Sequence, residues 1–136
     1  MDKQTLDEKP MLSRLKIRHI LFDKLSFDRE GFKTSNKEVG LEIGVTTRKE
    51  SDGKYRVSLH VLAHRESEFT ASVDVSAYCE LDEEWEIKNE ILEKNVVAIL
   101  FPYVRSELTL LTAQPETEPI VLPAFNINEL MKKDPS

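Results

Sequence analysis

Residues 95–114 read NVVAILFPYVRSELTLLTAQ, and this run decides how the rest of the chain must be arranged. From Val96 to Val104 it is apolar without a break. Beyond that, Arg105, Ser106, Glu107 and Thr109 are interleaved with Val104, Leu108 and Leu111. Those last three lie at i, i+4 and i+7, one stripe of a 3.6-residue period, so the stretch is expected to be helical. Its first half is apolar on every side and needs cover on every side. A small sheet covers only one side, so the other is expected to meet more protein or a bound client. Pro102 removes the bond to the Ala98 carbonyl, at a cost of about 3 kcal/mol or more. The apolar pattern continues through the proline, which points to a helix kinked or loosened there.

Upstream of this helix the chain alternates. Leu15, Ile17, His19 and Leu21 share one parity and Arg14, Lys16 and Arg18 the other, the pattern of a strand. Ile20 and Phe22 put apolar groups on the second face, so half of this strand is expected to be buried on both sides. Val39, Leu41, Ile43 and Val45 alternate next, followed by the Asp52-Gly53 hairpin pair and a third strand carrying Tyr55, Val57, Leu59, Val61 and Ala63. The cleanest alternation is the fourth: Phe69, Ala71, Val73, Val75, Ala77, Cys79 and Leu81 against Thr70, Ser72, Asp74, Ser76, Tyr78 and Glu80. Short polar connections predict an antiparallel meander with one wet face. The helix is the one long element available to cover the dry face.

The chain has 136 residues, 40% hydrophobic and 32% charged, with a formal net charge of −6 and a pI near 5.2. That length predicts a single domain, here residues 12–133, between a flexible segment at 1–11 and a tail at 134–136. The acidic balance argues against nucleic acid or an anionic membrane as main partner. One cysteine builds no internal disulfide and fits a reducing compartment. The first ten residues, MDKQTLDEKP, contain no apolar secretory core, and no apolar run reaches the roughly 18 residues of a membrane span. The expectation is a cytoplasmic protein.

Nothing in the sequence points to catalysis or to a cofactor. Nucleophile-elbow, phosphate-loop and zinc-protease motifs are missing, and four glycines are too few for a glycine-rich phosphate cradle. His60 and His64 share a strand face but stand about 13 Å apart, too far to hold one metal as a pair. They read as surface histidines, and His19 as an edge or internally satisfied one. Cys79 falls on the dry parity and behaves there as a small hydrophobe. Asp82, Glu83, Glu84 and Glu86 form the densest acidic cluster, either a solvated loop or a docking patch that steers a basic partner. After Pro115 the segment Ile120, Val121, Leu122, Pro123, Ala124, Phe125 is apolar where loops are normally polar. It either packs on the helix and sheet or forms the wall of an apolar groove. A short final helix is expected from Ile127 to Lys133.

The run Ile99-Leu-Phe-Pro-Tyr-Val-Arg-Ser-Glu-Leu108 resembles the I-L-F-P-Y-x-R-x-x-[IL] motif of the SecB family of protein-export chaperones. The likeness continues, one residue out of step, through Leu122-Pro-Ala-Phe-Asn-Ile-Asn-Glu-Leu-Met131 and covers about the last 40 residues. It implies an α+β fold: a four-stranded antiparallel sheet, a long helix on one face, an apolar loop and a second helix. It also implies homo-oligomers, classically a dimer of dimers, and ATP-independent holding of non-native polypeptides in apolar grooves beside the loop. Carried onto this chain, the oligomer motif comprises Ile99, Leu100, Phe101, Pro102, Tyr103, Arg105 and Leu108. The groove candidates are Ile120, Val121, Leu122, Phe125, Ile127, Leu130 and Met131. Only a few residues follow Met131, with no cysteine or histidine among them, so zinc and the tail contact with the export motor SecA are not implied here. Two readings follow: a holdase for apolar segments of non-native chains, or a non-catalytic module dedicated to one protein partner. An enzyme is not expected.

Overall fold

A computed structural model describes residues 15–81, 89–124 and 127. Four strands, β1 (Lys16–Arg29), β2 (Gly40–Ser51), β3 (Lys54–Arg65) and β4 (Phe69–Glu80), precede one long helix, α1 (Asn89–Thr112). The α+β fold expected from the sequence is the one observed. All strand pairs are antiparallel, in the order β1-β4-β3-β2. The meander therefore holds for β2, β3 and β4 only. The link through residues 30–39 is long enough to carry the chain past β4 and β3 to the opposite edge of the sheet, which makes a Greek key. The expected segments at 1–11, the acidic residues Asp82, Glu83, Glu84 and Glu86, Phe125, Leu130, Met131 and the final helix lie outside the described residues.

Alternation places the core. Val57, Leu59, Val61 and Ala63 of β3 and Phe69, Ala71, Val73, Val75 and Ala77 of β4 are fully buried on one face. Across from them α1 buries Leu92, Val96, Leu100, Val104, Leu108 and Thr112, a row spaced by fours, with Val97 and Phe101 filling in. Such a row drifts about 40° per step around the axis. Its C-terminal end therefore turns from the sheet toward the segment that follows the helix. The helix runs unbroken through Pro102. Ala98 and Pro102 both face solvent, where the carbonyl that lost its donor is accessible to water and the proline ring meets no packed neighbour.

β1 departs from the sequence reading. Leu21, Phe22 and Leu25 are 43%, 38% and 40% exposed, so this strand is not buried on both faces. It is an edge strand, and α1 lies mainly over β4 and β3. The register explains the apparent second apolar face. Shifts between Ile17 and His19 and between Phe22 and Lys24 mark Arg18 and Asp23 as extra residues. Each bulge reverses the parity that follows, so Ile17, Ile20, Phe22, Leu25 and Phe27 all fall opposite the dry row of β4. His19 and Leu21 move to the wet face, His19 with its ring edge-on to Tyr78 at 6.4 Å. The extra residues bond on that face too. Arg18 makes a two-pronged pair with Glu80 at 3.0 and 3.2 Å, and Asp23 accepts from Arg56 at 3.0 Å and from Ser76.

Candidate binding groove

The segment after α1, residues 113–124, is held as a strap by side chains from three directions. Arg29 at the end of β1 donates to the carbonyls of Pro115 at 2.8 Å and Glu116 at 3.4 Å and to the Thr117 hydroxyl. Arg65 at the end of β3 donates to the Glu118 carbonyl at 2.9 Å while its guanidinium lies 5.2 Å over the Phe69 ring. On the helix, Thr112 accepts from the Ile120 N–H at 2.8 Å, Thr109 donates to the Ile120 carbonyl at 2.7 Å, and Arg105 donates to the Leu122 carbonyl at 3.1 Å. An extended segment has alternating directions, so pinning Ile120 and Leu122 inward turns Val121 outward. Ile120 and Leu122 are buried and Val121 is 75% exposed.

Between strap and helix lies an open groove of ≈ 510 Å³, lined by Pro102, Arg105, Ser106, Thr109, Leu110, Val121 and Leu122. Leu110 is 65% exposed. It is an apolar residue off the buried stripe, facing Val121 across the groove. A volume of this size is in the range of ligand sites, but its sides are open to solvent and carry no convergent set of polar groups. The Arg105 and Thr109 side chains already bond the strap. What remains for a ligand is apolar contact, the Ser106 hydroxyl, the rest of the Arg105 guanidinium and main chain. No group among the described residues bonds the N–H or the carbonyl of Val121.

The two alternatives for the apolar loop are thus divided along it. Ile120 packs, Ile127 is buried in the same core, Leu122 packs while lining the groove, and Val121 forms the wall. Of the helix motif, Leu100, Phe101 and Leu108 lie beneath the helix in this chain's own core, which removes them from any surface a second subunit could touch. Pro102 and Tyr103 are exposed, Ile99 half-buried, and Arg105 is occupied with the strap. Sequence reading missed Leu110, Ser106 and Thr109 as lining and the arginines that hold the strap. The signal for Leu110 was an apolar residue out of phase with Leu108 and Leu111.

Elsewhere the chemistry is structural. Cys79 is buried on the dry face, and burial pushes its thiol up to about 11. His60 contacts Asp74, and His64 lies 3.4 Å from Glu30, all on the wet side of the sheet. Among the described residues no three His, Cys, Asp or Glu side chains are grouped to hold a metal ion, and no helix is long and apolar enough to cross a membrane.

No family model matches the chain. An uncharacterized protein of Methanocaldococcus jannaschii is 27% identical over 134 residues, covering 91% of this chain and 86% of that protein. Among solved structures, the Mycobacterium tuberculosis SecB-like chaperone Rv1957, in complex with a ChAD peptide from the HigA1 antitoxin, superposes with a TM-score of 0.70. The match is 16% identical and covers 85% of this chain and 92% of that one. The fold is SecB-like. A Streptococcus agalactiae protein of unknown function aligns at a TM-score of 0.46 and 14% identity, over 82% of this chain and 97% of that one. The SecB-like architecture makes the strap the segment that joins α1 to whatever follows it, and the groove lies where that segment leaves the helix.

Proposed function

We propose that this protein binds apolar segments of non-native polypeptides in the groove between α1 and the strap, as an ATP-independent holdase of the cytoplasm. The observation that carries the reading is the pair Leu110 and Val121, two large apolar side chains left in solvent on an open groove of a SecB-like fold. Each 100 Å² of client apolar surface covered there contributes about 2.5 kcal/mol before the costs of association are subtracted. No bond is made or broken, and release follows from the client's own folding. The outer stripe of α1, with Ile91, Ala98, Pro102 and Tyr103, and the exposed apolar residues of β1 serve assembly into a homo-oligomer in this reading. The test is light scattering of a chemically unfolded client diluted into buffer. Stoichiometric protein is expected to suppress aggregation, and aggregation unchanged at several-fold excess overturns the proposal.

A second reading is a module dedicated to one protein. It is favoured by the peptide in the Mycobacterium tuberculosis complex, which comes from a single named antitoxin. A pull-down dominated by one protein, with no preference for unfolded chains, decides for it.

A further inference from the structure

The most exposed large apolar side chain among the described residues is not in the groove. It is Phe32, 83% exposed, in the link between β1 and β2. A lone surface phenylalanine needs no explanation, but this one is held in place on both sides. The N–H groups of Glu30 and Gly31 donate to the Glu68 carbonyl at 2.8 and 3.2 Å. Two residues beyond Phe32, the N–H and hydroxyl of Thr34 donate to the Glu68 carboxylate at 3.0 and 2.6 Å. Phe32 and Lys33 thus form a two-residue arch with both feet on one residue. Glu68 itself is buried, with its second oxygen 3.7 Å from Arg65, so it cannot swing away without leaving a charge unpaired. Gly31 lies so close to the β3–β4 turn that a Cβ there would sit 2.4 Å from the Ser67 carbonyl oxygen. Ser67 in turn has a φ of 68°. A close approach, a left-handed serine and a buried carboxylate are all committed to a loop whose only apolar side chain before Val39 points into water.

The arch is also joined to the strap. The Arg29 guanidinium that holds Pro115 and Glu116 donates to the Gly31 carbonyl at 3.0 Å, and Lys37 pairs with Glu118 at 3.3 Å. Phe32, Val121 and Leu110 are the three most exposed large apolar residues described, and they belong to one connected end of the molecule. From Glu116, which Arg29 holds beside the foot of the arch, to Val121 is at most about 17 Å along the strap, the span of roughly five extended residues. Along that path the strap's outward edge offers main chain: Val121 is unpartnered, and Pro119 and Pro123 on either side present carbonyls but no N–H. An exposed edge with one complete donor–acceptor pair suits one residue of a peptide backbone and does not suit a full added strand or a lipid.

We propose that Phe32 is a presented aromatic anchor for the extended polypeptide that occupies the groove, so that a bound segment runs from Leu110 and Val121 along the strap to the arch. This rests on the reading of the groove as a polypeptide site. The main chain on both sides of the ring is already tied to Glu68, so less of the cost of ordering this segment falls on binding. The test measures binding of the full chain to a fluorescently labelled, permanently reduced and unfolded α-lactalbumin by anisotropy. Phe32→Ala is expected to weaken binding about tenfold or more, the behaviour of an interface anchor, while Phe32→Trp binds like the original and neither shifts the melting temperature. Leu110→Ser serves as the groove control. If Phe32→Ala binds within twofold of the unaltered chain while Leu110→Ser is impaired, the anchor is refuted and the groove stands. If the unaltered chain does not bind the unfolded probe, both fall. A lowered melting temperature for Phe32→Ala would make the ring structural and also overturn the anchor.

Discussion

β4 and β1 are paired along their whole length, yet they live under opposite rules. β4 has neighbours on both sides and α1 above it, so its dry row is at or near zero exposure and even Ser72 and Ser76 of its wet row are buried. β1 has one neighbour and little of the helix. Val73 and Leu25 face each other in the register, one fully buried and the other 40% exposed. Strict alternation survives where a one-residue slip would turn every core side chain to water. Where the strand is at the edge, an inserted residue costs little, and two have been accommodated with Arg18 and Asp23 turned to polar partners on the wet face.

The sharpest way to break this contrast is to delete single residues. Deletion of Asp74 from β4 flips half of its dry row and is expected to abolish the cooperative thermal transition. Deletion of Asp23 from β1 removes a bulge and leaves Phe22 and Leu25 on the same face, so the chain still folds. Its loss is about 1–2 kcal/mol, from the bonds to Arg56 and Ser76. Circular dichroism melts of both proteins check this, and a folded chain lacking Asp74 would sink the argument. Thr112→Val carries the contrast to the strap, whose attachment is polar where β4's is apolar. It leaves the buried Ile120 N–H without its acceptor and is expected to cost about 1–3 kcal/mol, with faster amide exchange confined to residues 117–122.

Glu68→Gln tests the arch through pH. The Thr34 hydroxyl bond, opposed by burial, holds the Glu68 carboxyl below the usual glutamate range. Below the unfolded value the unfolded chain takes up a proton first. The carboxylate therefore stabilises the fold at neutral pH, and that contribution is lost as pH falls through the folded value. The gap in melting temperature between the original chain and Glu68→Gln should be full above pH 5 and close in more acidic buffer. A gap independent of pH would show that the charge is not what holds the arch. The smallest effect is expected at Leu25→Asp, under about 1 kcal/mol on the fold of a single chain. Any larger consequence should appear as a change in solution mass, since this residue lies on the surface proposed for assembly.

Much of the fold was legible because it rests on local periodicity. The rows in β3 and β4, the Asp52-Gly53 turn and the helix through Pro102 each follow from residues within a few positions of one another. β1 was misread because a bulge looks, in one dimension, like a second apolar face. Only the facing strand reveals that Arg18 and Asp23 are extra. The groove was half legible. Val121 and Leu122 were singled out as apolar residues in a loop, but which of them faces water depends on Thr109, Thr112 and Arg105 reaching across from the helix. Leu100, Phe101 and Leu108 carried the family likeness, and the structure spends them on its own core.

By itself the sequence determined the inventory: four strands, one long apolar helix, an apolar segment after it, and a surplus of apolar surface that a single sheet face could not cover. Those are consequences of side-chain spacing, which acts over a few residues and needs no knowledge of neighbours. Only the tertiary structure decided strand order, which side of the helix is spent on the core, and where the surplus comes to light. These depend on which groups meet after the chain has crossed itself. Arg29 holding both Gly31 and Pro115, residues more than eighty positions apart, is such a meeting.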